Sequence, residues 1–68
     1  MEKIGKRLKE IRIEKGLSKV QLSRFIGFSS NSISKWESSE RKPRITTLIK
    51  FANFFNCSMD FLLGLLDE

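Results

Sequence analysis

At 68 residues the chain has material for one domain, residues 1–68, and a domain this small buries only about 60% of its unfolded surface, so association with a second copy is a common remedy. Hydrophobic content is 40% and the formal net charge is +5, the composition of a basic globular protein. With no His, a lone Cys and carboxylates scattered singly, no acid–base pair, nucleophile or metal site can be assembled, which excludes an enzyme first and leaves no metal or cofactor to expect.

Charge is unevenly placed. Up to Arg44 there are twelve Lys and Arg against five Asp and Glu, and beyond it one against three. A positive half suggests a polyanion as partner, the plain alternative being that the charge serves solubility. The opening MEKIGKRLKEIR has charges with no apolar run behind them, so it does not read as a signal peptide. The longest apolar run is interrupted by Gly64 and is too short to span a bilayer. A cytoplasmic protein is expected, with Cys57 a small core residue in a reducing compartment.

From Glu2 to Lys15 the residues Ile4, Leu8 and Ile11 recur at helical spacing, and Gly16 stops the first helix, with Ile13 on its far side. Ser18 caps a second helix and Gln21, three residues on, completes a capping box; Leu17 and Leu22 have the spacing of a hydrophobic staple. Leu22, Phe25 and Ile26 form the expected buried face of that helix. Gly27 makes a tight turn, and Ser29 caps a third helix, with Phe28 and Ile33 as its staple. On this helix Ile33 and Trp36 point inward as core, while Asn31, Ser34, Lys35 and Ser38 point nearly opposite. Asn and Ser weaken a solvated helix face by a few tenths of a kcal/mol each, so something other than helix stability selects them.

After Trp36 the chain reads ESSERKPR, a polar and basic loop that Pro43 keeps from continuing as helix. Ile45, Leu48, Ile49, Ala52 and Phe55, with Phe54 beside them, predict a fourth helix ending near Asn56, a residue that tolerates the left-handed conformation. Ser58 caps a fifth, with Asp60 in its first turn. That helix is apolar on two sides, Phe61, Leu62 and Leu65 against Met59, Leu63 and Leu66, more than one small core needs. A contact with a second copy is therefore expected there, at Met59, Leu62, Leu63 and Leu66.

Residues 4–66 resemble the phage repressor and Cro type of helix-turn-helix domain. The likeness is carried by IGKRLKEIRIEKGLS, NSISKWE, RKP and SMDFLLG, and by Leu22, Ser23, Ile26, Gly27, Phe28, Ile33 and Trp36 in the order the family uses them. The resemblance implies an all-α fold of five helices in which the second and third form the DNA-reading unit. It implies that Ser29, Ser30, Asn31 and Lys35 face the major groove, with Ser34 on the same outer face, and that Lys19 lies beside a phosphate. It places Arg41, Lys42 and Arg44 in a loop that touches the phosphate backbone, with Ser38 next to it, and brings Arg44 towards the minor groove. It makes Arg12 and Glu37 an internal, structural ion pair. Three positions depart from the family pattern: Lys19 stands for a common Gln, Ser39 for a common helix-ending Gly, and Arg44 for a capping Ser.

Residue chemistry agrees with that reading. Asn binds adenine bidentately, Lys donates to guanine, and Ser serves several base edges. Helix N-termini at Ser18 and Ser29 offer N–H groups to phosphates. The expected function is a sequence-specific regulator of transcription, of bacterial or phage origin, acting on double-stranded DNA as a homodimer. The rival readings are an antitoxin or other protein-interaction module using the apolar face of the fifth helix, and the DNA-binding part of a longer regulator.

Overall fold

The computed structural model describes residues 2–65, with side chains from Ile4 onward. Every regular element among them is a helix: α1 (Glu2–Glu14), α2 (Lys19–Ile26), α3 (Ser30–Glu37), α4 (Ile45–Phe55) and α5 (Met59–Leu62). The starts follow the capping chemistry. Ser18 Oγ accepts from Gln21 N at 3.0 Å while Gln21 Oε1 accepts from Ser18 N at 2.8 Å, a complete capping box. Ser29 and Ser58 cap α3 and α5 through Ser32 N and Phe61 N. Arg44, at the same position before α4, has the extended backbone of a cap but makes no capping bond, so the first turn of α4 keeps its N–H groups open.

The ends share one device. After α1, α3, α4 and α5 a residue in the left-handed region lets two successive amides return to the last carbonyls, as in Glu40 N to Lys35 O (2.9 Å) and Ser39 N to Trp36 O (3.2 Å). The left-handed residues are Gly16, Ser39, Asn56 and Gly64, of which Ser39, at φ 66°, carries a side chain ill suited to that conformation.

Leu8 and Ile11 of α1, Leu22 and Ile26 of α2, Ile33 and Trp36 of α3, Phe51, Ala52 and Phe55 of α4, and Leu62 of α5 enclose the core. Its centre is aromatic. The Trp36 and Phe51 rings meet edge to face at 5.8 Å, and Phe28 packs on Trp36 at 5.0 Å. α1 lies against α3 so closely that a Cβ on Gly5 would come within 2.5 Å of Trp36 O and 2.8 Å of Glu37 O. Only glycine permits that approach.

Four expectations are corrected. Phe25 is 66% exposed, because Leu22 and Ile26 fill the narrow stripe that a two-turn helix turns inward and Phe25 falls on its flank, stacked at 5.9 Å on Phe54. On α4 the core takes Leu48, Phe51, Ala52, Phe55 and the polar Thr47, so Ile45 and Ile49 stand outside it on one edge. α5 is a single turn closed by Gly64, so Leu63 and Leu65, expected on its two sides, lie beyond its last residue. Leu62, expected at a contact between copies, is wholly buried inside its own chain and has no surface to offer. Leu66, expected beside it, lies outside the described residues. Ile13 is exposed, as its place on the far side of α1 predicts. Cys57 is a free, half-buried thiol; burial pushes its pKa up, and the nearby Lys15 ammonium partly opposes the shift.

Candidate nucleic-acid interface

α2 and α3 are joined by Gly27, whose φ of 84° turns the chain within two residues and whose N–H donates to Ser23 O at 3.0 Å. Ile33 and Trp36 fix α3 to the core by one face. The opposite face presents an exposed Asn31, with Ser30, Ser34 and Lys35 half covered and Ser38 exposed at its end. These side chains lie along one short helix, on the side the 3.6-residue period assigns them.

Two internal bonds restrict what the face can do. Ser29 Oγ accepts from Ser32 N and donates to Ser32 Oγ at 3.0 Å, so its proton is engaged and a lone pair is what it has left to offer. Lys19 Nζ donates to Ser34 Oγ at 3.2 Å, which joins the start of α2 to the middle of α3 and leaves the Ser34 proton available outward. Spacing gives no sign of this bond, because the two residues are fifteen apart on different helices.

At the C-terminal end of α3 the Lys35 carbonyl accepts from Glu40 N, Arg41 N and Ser38 Oγ, tying the basic loop to the helix that precedes it. Arg41, Lys42 and Arg44 are exposed on that loop. They border a cleft of about 310 Å³, also lined by Ser32, Thr47 and the rings of Phe28 and Trp36. Ser32 and Thr47 are the polar residues at this cleft that sequence reasoning passes over. Ser32 reads as a neutral helix residue, and Thr47 gives no signal until α4 is seen to turn it inward.

The support for α3 comes from α1. Arg12 Nε donates to Glu37 Oε2 at 2.7 Å and Nη2 to Oε1 at 3.1 Å, a bidentate pair, while Nη1 donates to Leu17 O at 2.8 Å. The side chains are 9% and 4% exposed, so the pair lies almost out of water with each guanidinium nitrogen hydrogen-bonded. It sits away from the exposed face of α3 and fixes that helix to α1 at its last residue.

The likeness to known proteins is as extensive as the geometry suggests. The Helix-turn-helix family model matches residues 8–62. The HTH-type transcriptional regulator ImmR of Bacillus subtilis is 38% identical over 61 residues, which cover 90% of this chain and 48% of that protein. Repressor protein C2 of Salmonella phage P22 is 32% identical over 60 residues, covering 88% of this chain and 28% of that one. The chain thus spans about half the length of ImmR and less of C2. Among solved structures, the DNA-binding domain of the P22 C2 repressor superposes with a TM-score of 0.81 at 32% identity, covering 88% of this chain and 79% of that one. The restriction-modification controller protein C.AhdI from Aeromonas hydrophila gives the same TM-score at 28% identity, covering 88% and 91%. The capped α2, the Gly27 turn, the inward Ile33 and Trp36, and these matches along nearly the whole chain agree: the chain belongs to the helix-turn-helix family, in its phage repressor type.

Proposed function

We propose that the domain binds double-stranded DNA with α3 in the major groove and regulates transcription, as a homodimer on a near-palindromic site. The observation that carries the reading is the outward face of α3, short, polar and uncharged apart from Lys35, set beside a loop with three exposed basic residues. Asn31 is the reader of a base pair, Lys35 of its neighbour one turn on, and Ser30 and Ser34 assist, with Ser29 limited to accepting. Arg41, Lys42 and Arg44 supply phosphate affinity, together with Lys19 and the open N–H groups of α4, and Ser38 joins them once its hydroxyl turns from the Lys35 carbonyl.

In the dimer, Met59 of α5 and Leu63 just after it, with the exposed Leu65, meet the second copy and set two α3 helices about 34 Å apart. The relatives are named as a transcriptional regulator and a repressor, which supports this role over that of an enzyme, with action in the cytoplasm on bacterial or phage DNA.

Selection of bound sites from random duplex DNA tests the proposal. The parent should yield a symmetric motif, and Asn31→Ala should relax one position in each half while costing about 1–3 kcal/mol on the preferred site. Affinity should fall about 10³–10⁵-fold between 50 and 200 mM salt if the dimer makes about 6–10 phosphate contacts. Binding that ignores salt, or a motif unchanged by Asn31→Ala, would refute the assignment.

A further inference from the structure

The cleft between α3 and the basic loop contains a hydroxyl that the fold does not use. Thr47, in the first turn of α4, is 6% exposed, and its Oγ1 makes no hydrogen bond with the described residues. Among those residues no side-chain oxygen or nitrogen is both unpartnered and sealed from solvent. Thr47 Oγ1 therefore keeps an opening, and it opens on the cleft of about 310 Å³ that Thr47 lines. A hydroxyl so nearly enclosed weakens the native state unless something comes to meet it.

Other donors converge on the same place. Leu48 N is the first amide of α4 to reach a carbonyl, Arg44 O at 3.0 Å, and no side chain caps the helix, so the amides of Ile45, Thr46 and Thr47 stay open. Ser32 Oγ accepts from Ser29 Oγ at 3.0 Å and has its own proton to give. Arg41, Lys42 and Arg44 stand exposed at the mouth, and no carboxylate lines the cleft. The positive end of an eleven-residue helix lies behind them. The remaining walls are the rings of Phe28 and Trp36.

We infer that the cleft is a binding site for a small phosphate monoester, with the phosphate on Thr47 Oγ1, Ser32 Oγ and the open amides of α4 and the organic part against the Phe28 and Trp36 rings. Its volume lies at the lower end of the range for small-molecule pockets, about 300–1,000 Å³, and suits a phosphate with one ring attached. A backbone phosphate of duplex DNA has a sugar on either side and two free oxygens, so it rests on the rim of three cations. A monoester has one substituent and three free oxygens, passes the rim and alone reaches Thr47. Cations and amides serve either ligand, so the monoester displaces DNA. That competition rests on the function proposed above, whereas binding of the monoester does not.

Nuclear magnetic resonance on the full chain without DNA tests the inference, with phenyl phosphate as the probe and its diester, methyl phenyl phosphate, as the control. Phenyl phosphate should move the amide protons of Ile45, Thr46 and Thr47 downfield and shift the indole signal of Trp36, the sole tryptophan. Signals of Lys9 and Arg24, exposed cations that do not line the cleft, should stay in place. The diester should bind about tenfold more weakly or worse. Thr47→Val keeps the branched shape and removes the unpartnered hydroxyl, so it should melt no lower than the parent yet bind phenyl phosphate at least about tenfold more weakly. It should keep its affinity for duplex DNA and hold the duplex at phenyl phosphate concentrations that release it from the parent. Equal binding of phenyl phosphate by the parent and Thr47→Val, or shifts spread alike over Lys9 and Arg24, would overturn the inference and leave only general attraction to positive charge. A loss of duplex affinity in Thr47→Val as large as its loss of phenyl phosphate would overturn it too, by giving the hydroxyl to the DNA backbone. Absence of duplex binding in parent and variant alike would strike the function proposed above and not this site.

Discussion

Replacing Ser39 by glycine should stabilise the domain. Ser39 occupies the left-handed position of the turn that ends α3, at φ 66°, where two of the three comparable turns have glycine and one has asparagine. A residue with a Cβ loses roughly 1–2 kcal/mol there. Its hydroxyl makes no hydrogen bond with the described residues, so Ser39→Gly removes no bond from the native state. Against the relief stands the freedom that glycine adds to the unfolded chain, about 0.4–1 kcal/mol. The balance is a gain of about 0.5–1 kcal/mol, which in a domain of this size raises Tm by about 2–8 °C. Ser39→Ala keeps the strain and should melt near the parent. Thermal melts followed by circular dichroism at 222 nm provide the measurement. If Ser39→Gly melts at or below the parent, the left-handed residue is not a source of strain and the turn holds Ser39 without cost.

Removing either partner of the buried pair, Arg12→Ala or Glu37→Ala, should cost about 3–5 kcal/mol in urea unfolding because the other charge is stranded, whereas Arg12→Met with Glu37→Leu should recover most of that loss. Equal stability of the single variants and the parent would show that the pair is solvated in solution. Gly5→Ala should lose about 1–3 kcal/mol despite the better helix propensity of alanine, since the new methyl meets two backbone carbonyls that cannot turn aside; a more stable variant would mean that α1 slides freely on α3.

What could be read in advance was local. Ser18 with Gln21, Ser29, Ser58 and Asn56 act within a few residues of themselves, so their chemistry marks helix ends wherever the helices pack. Burial is a property of the assembly, and periodicity located it only to within a flank: Phe25, Ile45 and Ile49 lie just outside the stripes that bury Leu22, Ile26, Leu48 and Phe55. Gly5 and the Lys19–Ser34 bond were illegible because each depends on a second helix brought in by the fold. Arg12–Glu37 entered through resemblance, since nothing in a spacing of twenty-five residues announces a pair.

The attachment of α1 bears on how the chain acquires its structure. α1 makes its main contacts with α3 and α5 rather than with the helix that follows it, through Gly5, the Arg12–Glu37 pair and the side of the core that Leu62 completes. The first helix emerging from a ribosome therefore has nothing to fold against until α3 is free of the exit tunnel, and the core stays open on one side until Leu62 follows. A nascent chain halted before Leu62 should remain sensitive to protease along its whole length, including the finished sequences of α2 and α3. Protection should then arrive in a single step, which would make synthesis of the final turn the event that commits the domain to its fold.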